Sequence, residues 1–253
     1  DLSLALLLPF SFAISLVVTK GMAKRFRLLG IIATVLLFSA IIATQSRGGL
    51  LGILSVLGII GYRRVKSKTL FFSLSGICAF ALFILAGISG RKSGGAAEAG
   101  IDESAMGRIH AWEAAIGMAA DNPITGVGLD NFYFNYFFYS KYWDGLNHAV
   151  HSTWFGVLGE TGFVGLIVFL TMVTITFKAA RNTLNTVNNN KNKYPTIVRA
   201  ISEGNFAGLI AFCVAGTFLT QGFTWPFYIL LALTASVAQF VESKERQNDD
   251  FTL

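Results

Sequence analysis

Seven apolar runs, each bounded by polar residues, leave this chain few ways to hide from water except by crossing a bilayer. They cover residues 2–19, 28–44, 50–62, 70–88, 153–177, 204–219 and 226–241. A spanning helix needs about 20 predominantly apolar residues, with a range near 17–25, so the third and sixth runs must tilt little or borrow length from their flanks. In lipid, every backbone N–H and C=O has to be satisfied within the protein, which selects helices. The expected fold is all-α: a polytopic transmembrane helical bundle of about seven spans, with one large outer loop that carries surface helices. Helices 1–4 would occupy 1–88, the large loop 89–150, and helices 5–7 the stretch 151–253, with a polar loop at 178–203.

Composition agrees. Charged residues make up 13% of the chain, against about 25% in ordinary soluble domains. The net charge of +6 does not point to nucleic acid, because the charges lie between apolar runs and form no single basic face. Cys78 and Cys213 sit inside apolar runs and read as small buried hydrophobes. The first run opens at Asp1 without a basic leader or Met, so it is expected to be a span and not a cleaved signal peptide. The chain is expected to start within a longer protein.

The basic residues set the orientation. Fifteen of the 20 Lys and Arg fall in the alternate connections that hold Lys20–Arg27, Arg63–Lys68 and Lys178–Arg199, or in the tail. Only Arg47, Arg91, Lys92, Arg108 and Lys141 fall on the other side. Seven alternating spans reproduce this split without exception, and the positive-inside rule makes the rich side cytoplasmic. Loop 178–203 is then cytoplasmic, while Arg47 and the segment 89–150 face outward, which in a bacterium with two membranes is the periplasm. The expected location is the bacterial inner membrane, with a multi-pass chain and a site on its periplasmic face.

Three places on that outer side carry chemistry. Arg47 stands in Ser46-Arg47-Gly48-Gly49, between two apolar runs. A guanidinium there is costly unless it meets an anion or a wet cavity, and its fork suits phosphate oxygens. In the outer segment, residues 90–100 are Gly/Ala-rich and read as flexible. Asp102-Glu103-Ser104 then precede a helical pattern in which Ile109, Trp112, Ile116 and Ala119 form one apolar stripe. That helix should stop near Asp121-Asn122-Pro123. Arg108 lies one turn from Trp112, and spacing alone leaves it open whether Arg108 binds substrate or snorkels to lipid headgroups. Residues 132–143 hold nine aromatics in twelve positions, a pattern that suits an interfacial anchor or stacking on sugar rings. Gly126-Val127-Gly128 is too incomplete for a nucleotide loop.

His148-Ala-Val-His151-Ser152 marks the outer mouth of the fifth span. Histidine can take up and return a proton near neutrality, so either imidazole is a candidate base. Three-residue spacing would also suit a metal on a helix, but no third ligand is near, and no metal or cofactor is expected. Glu160 follows in Gly159-Glu160-Thr161-Gly162. An unbroken helix would sink it about 13 Å below His151 at ~1.5 Å per residue. The two glycines are therefore expected to break the helix, leaving 152–158 as a short shelf and 163–177 as the true span. Glu160 would line a polar pocket there or pair with an outer arginine.

These pieces together resemble the O-antigen ligase and polymerase superfamily of bacterial lipid-linked glycan transferases. The resemblance rests on Ser46-Arg47-Gly48-Gly49, then Gly107-Arg108 with Trp112 and Asn122-Pro123-Ile-Thr-Gly126-Val-Gly128, then His151-Ser152 and Gly159-Glu160-Thr-Gly162-Phe-Val-Gly165. It covers residues 28–177 and implies a metal-independent, inverting membrane glycosyltransferase. Such an enzyme moves a glycan from undecaprenyl pyrophosphate to an acceptor hydroxyl. By the same resemblance Arg47 and Arg108 hold the donor pyrophosphate and His151 is the base. Ser46, Gly48, Trp112, His148 and Glu160 are the supporting substrate-binding candidates. Members have about twelve spans, so the likeness is to the C-terminal half. The acceptor is a lipid A core sugar (ligase, preferred), another repeat unit (polymerase) or a protein hydroxyl (O-oligosaccharyltransferase). Membrane lipids would surround the protein, and nucleic acid is not a partner. The rival from another class is a transporter of anionic lipid or glycolipid; against it, no inverted repeat is visible.

Overall fold

A computed structural model of the chain describes residues 2–65, 103–190 and 192–249, together with 67, 69, 71–73, 76 and 77. Every regular element among the described residues is a helix. In chain order these are α1 Leu2–Val18, α2 Lys24–Ala43, α3 Arg47–Arg64, α4 Glu103–Asp121, α5 Phe132–Tyr139, α6 Thr153–Asn189, α7 Thr196–Gly216 and α8 Trp225–Asp249. Helices α2, α6, α7 and residues Trp225–Gln247 of α8 are long and apolar enough to cross a membrane, and α1 is a shorter apolar helix of 17 residues. The run expected as a third span folds as α3, whose five glycines and three arginines leave it less apolar than its neighbours. Most of the run 70–88, including Cys78, the Gly/Ala-rich stretch 90–100, Asp102 and the basic residues Lys66, Lys68, Arg91, Lys92 and Lys191 lie outside the described residues.

Helix ends differ from the apolar runs in a consistent way. Helix α6 continues past Phe177 to Asn189, and α8 runs on to Asp249. Tertiary contacts sustain these polar turns. Val187 and Val241 pack with Tyr194 in a buried cluster, and Lys193 Nζ meets Glu245 Oε2 at 2.5 Å. Hydropathy marks what lipid accepts, while a helix continues as long as packing supports it.

The described residues form two compact units. One holds 103–173 and 216–223; the other holds 2–65, 174–190, 192–215 and 224–249. In the larger unit, α1 packs closely on its neighbours through small residues. A side chain at Gly30 of α2 would come within 2.9 Å of the Ala13 carbonyl, and one at Gly49 of α3 within 2.9 Å of Ser3 Cβ. Such contacts gain dispersion energy where burial from lipid offers little. Ser15 and Thr19 are buried and return their hydroxyls to carbonyls of the preceding turn at 2.8 and 2.7 Å. A buried bond of 2.6 Å from Asn205 Nδ2 to Thr234 Oγ1 joins α7 to α8. Arg64, at the end of α3, bonds the Val18 carbonyl at 3.0 Å and forms an ion pair with Glu203 of α7.

In the smaller unit, α4 stops at Asp121, ahead of Asn122-Pro123 as expected. Its buried face keeps Trp112 and Ala119 of the expected stripe but not Ile109 and Ile116. Ala111, Ala114, Ala115 and Met118 pack against Phe132 and Tyr136 of α5 and against Val150, whereas Ile109 and Ile116 are exposed. Large rings from α5 need small partners. A stripe anchored on Ile109, Trp112 and Ile116 missed Ala111, Ala114 and Ala115, which supply the close face.

Candidate functional site

The smaller unit is built around a break in α6. Gly162 has φ +67°, which interrupts the helix and strips its neighbours of their intrahelical partners. The loop after α4 replaces them. Val127 N donates to the Gly159 carbonyl and Gly128 N to the Glu160 carbonyl, both at 3.0 Å, while Phe163 N donates to the Pro123 carbonyl at 2.8 Å. Each orphaned backbone group that would face low dielectric is thus satisfied by protein. The approach is so close that a side chain at Gly162 would lie 2.5 Å from the Pro123 carbonyl, and one at Gly126 would collide with the Gly159 carbonyl. This is the work of Gly126-Val127-Gly128, which spacing alone had left without a role. The expected shelf forms as 153–161, with its break at Gly162 alone; Gly159 stays helical.

Glu160 sits on the last turn of the shelf. Its Oε1 accepts from Phe132 N at 3.4 Å, so the carboxylate lies at the N-terminal end of α5, where the helix dipole favours an anion. In this position Glu160 joins the aromatic helix to the break.

The shelf begins at Ser152, which is buried and takes the N-cap place, its Oγ 3.5 Å from Phe155 N. His151 precedes it with φ +47°, a left-handed conformation in which histidine is several-fold enriched among non-glycine residues. Gln45 before α3 and Asp130 before α5 enter their helices at φ +50° and +60°. Trp112 of α4 fixes the chain just upstream. Its Nε1 donates to the Val150 carbonyl at 3.1 Å and its ring stacks on Phe155, with centroids 4.9 Å apart. Buried Thr153 anchors the downstream side: Oγ1 donates to the Leu219 carbonyl at 2.7 Å and accepts from Gln221 N at 3.1 Å. Trp154 Nε1 reaches Thr217 Oγ1 at 3.1 Å. Sequence reasoning missed Thr153, Thr217 and Gln221, since no local pattern links residues over 60 positions apart.

Arg108, half-buried one turn before Trp112, shares this end of α4. The His151 imidazole is pushed below its ordinary pKa, first by loss of solvent around the ring, then by the Arg108 charge and that of His148. His148 bonds Asp144, Nε2 to Oδ2 at 2.9 Å, and its ring meets Tyr136 edge-on at 5.5 Å. That bond holds the Asp144 carboxyl below the usual range. Asp144 was not among the sequence candidates. Residues 140–152 carry no helix, so the two histidines do not share a helical face.

Of the predicted residues, Arg108, Trp112, His148, His151 and Glu160 therefore belong to one unit. Ser46, Arg47 and Gly48 belong to the other. There Ser46 caps α3 by accepting from Gly49 N at 3.2 Å, Arg47 is the first helical residue, and Gly48 is buried.

A membrane-type helical chain thus presents a histidine at the start of a broken helix, within electrostatic reach of an arginine. The sequence matches the family model described as O-antigen ligase over residues 32–170, more than half of the chain. The chain belongs to the O-antigen ligase family, whose members are membrane enzymes of the glycosyltransferase type. None of the curated proteins matches it.

Proposed function

We propose that this protein transfers a glycan from undecaprenyl pyrophosphate to an acceptor hydroxyl at the periplasmic face of the inner membrane, most closely in the manner of an O-antigen ligase. The family match supports the class. The observation that carries the chemistry is the place of His151, solvent-exposed and left-handed at the start of the shelf. There the Arg108 charge adds to partial loss of solvent in disfavouring its protonated form. A base must be unprotonated to work, and an imidazole that resists protonation at neutral pH meets that need. The acceptor hydroxyl attacks the anomeric carbon as His151 takes its proton. The anomeric C–O bond breaks, and the electron pair leaves with the pyrophosphate.

Charge then grows on the leaving group, and preorganised cations are worth most at that moment. Arg108 and Arg47 fill this role, so the reaction is read as metal-independent, and a single displacement at the anomeric carbon makes it inverting, as the family resemblance implies. Arg47 stands with Ser46 and Gly48 at a capped helix N-terminus, where backbone N–H groups also favour an anion. Trp112 and His148 shape the lip around His151, and Glu160 keeps α5 against the break. In this reading segment 89–150 is the periplasmic loop between the helices of 1–88 and those of 151–253, with 178–203 cytoplasmic. The basic residues support that orientation.

The test is purified protein with a defined lipid-linked donor and three acceptors: lipid A core, repeat-unit glycan and a Ser/Thr protein. Release of undecaprenyl pyrophosphate with a ligated product is expected, and lipid movement without bond cleavage would instead indicate a transporter. His151→Ala, Arg108→Ala and Arg47→Ala should each abolish transfer while membrane insertion persists; full activity in His151→Ala removes the base.

A further inference from the structure

On another side of α4 from Trp112, a cleft of about 300 Å³ opens between Glu113, Ile116, Gly117, Tyr139 and Lys141. The mechanism above uses none of these residues. We propose that this cleft is a sugar-binding subsite, which seats a ring of the glycan several residues away from the reacting carbon. The proposal rests on the glycosyltransferase reading and names where its substrate is gripped.

Four observations fit a neutral, polyhydroxylated ring. The volume is at the small end of the ~300–1,000 Å³ typical of ligand clefts. Its walls carry one carboxylate and one ammonium, Glu113 and Lys141, which form no ion pair with each other among the described residues. One charge of each sign leaves the cleft without a net charge to favour a free ion, while the carboxylate accepts from hydroxyls and the ammonium donates to them. Tyr139 supplies an aromatic wall and Ile116 an exposed apolar one, against which the C–H face of a sugar can lie.

The space exists because residue 117 is glycine: a side chain there would begin 3.3 Å from Tyr139 Cδ1. Tyr139 is held from behind by Asn122 Nδ2, 3.4 Å from its hydroxyl. His110 and Tyr142 stack with centroids 4.0 Å apart, tying the residue after Lys141 to the turn of α4 that precedes Glu113. Both walls are therefore preformed. An α-helix with its side chains is ~10–12 Å across, a width that a glycan of several rings can bridge.

The experiment uses the full chain in lipid nanodiscs, with the variants Gly117→Leu, which fills the cleft, and Glu113→Gln, which keeps its shape. The probes are the lipid-linked donor, the acceptor glycan and the free oligosaccharide released from the donor. Each variant should raise the KM of one glycan substrate about 10-fold or more, as loss of a charged hydrogen bond implies, with kcat largely kept. A rise for the donor assigns the cleft to donor sugars, and a rise for the acceptor assigns it to acceptor sugars. Unchanged KM for both substrates in the folded variants overturns the subsite. Should Gly117→Leu fail to fold, Glu113→Gln decides alone. If the wild-type chain transfers nothing, the glycosyltransferase reading fails. Binding of the free oligosaccharide to wild type, weakened in Glu113→Gln, then still reports on the cleft, and its absence overturns the subsite.

Discussion

Trp112 Nε1 donates to the carbonyl of Val150, 3.1 Å away, one residue before the left-handed His151. Helix α4 thereby holds the chain at the residue just before the candidate base. Trp112→Phe keeps most of the stacking on Phe155 but leaves that carbonyl without its donor, at a cost of about 1–3 kcal/mol. Transfer should fall about 10-fold in kcat, with little change in donor KM and an unmoved pH profile. A merely structural tryptophan would lower the yield of folded protein and leave kcat per folded molecule intact.

The pH dependence follows from the direction of the His151 shift. Its protonated form is disfavoured by desolvation first, then by Arg108 and His148. The acid limb of kcat should therefore lie below the ordinary histidine value of about 6.5, with activity lost as pH falls through that lower pKa. Removing a neighbouring charge should move the limb upward: His148→Gln is expected to shift it toward 6.5. A limb at or above 6.5 in the wild-type protein would falsify the assignment of His151 as the base.

Gly126 and Gly162 are expected to be the least replaceable residues of the smaller unit. Both have positive φ, at +58° and +67°, and each lies against a carbonyl of the opposing segment. Alanine would add backbone strain of about 1–3 kcal/mol and force the loop away from the break, exposing the Gly159 and Glu160 carbonyls. Gly126→Ala and Gly162→Ala should each reduce the folded fraction and melting temperature in detergent. Gly145→Ala is the control: it shares the positive φ, at +96°, but has nothing within 4 Å, so its loss should be smaller.

The contrast between these glycines and the apolar runs shows what could be read from the chain. Runs such as 28–44 and 153–177 located helices because lipid imposes a local demand for apolar residues. The stop at Asp121 was legible for the same reason, since the following Asn122-Pro123 acts on its immediate neighbours. Glu160 was legible only as a cost. That its carboxylate would meet Phe132 N depended on α5 lying against the shelf, a relation set by packing. The alanine face of α4 and the Thr153–Leu219 bond were hidden likewise, because partners distant in sequence decide them.

Glu160 gives a prediction of its own. Its side chain bonds the first turn of α5 as an N-terminal acceptor does, and the loss of such a cap costs about 1 kcal/mol. Glu160→Gln keeps an acceptor oxygen and should preserve most stability, whereas Glu160→Ala should not. If donor KM rises in Glu160→Gln while the melting temperature holds, the carboxylate also meets substrate.

In the larger unit, the Arg64–Glu203 pair offers a test independent of catalysis. The Glu203 side chain is 11% exposed and that of Arg64 32%, so the pair is only partly screened by solvent. Arg64 also caps the end of α1 through the Val18 carbonyl, 3.0 Å away. Arg64→Ala leaves a largely buried carboxylate uncompensated, which costs about 3–5 kcal/mol for a fully buried pair and less here. Replacing both partners, as Arg64→Met with Glu203→Leu, removes the desolvation penalty along with the attraction. The double variant should therefore melt above Arg64→Ala, although Val18 still lacks its donor. A double variant no more stable than Arg64→Ala would show that the lone Glu203 carboxylate is not what destabilises Arg64→Ala.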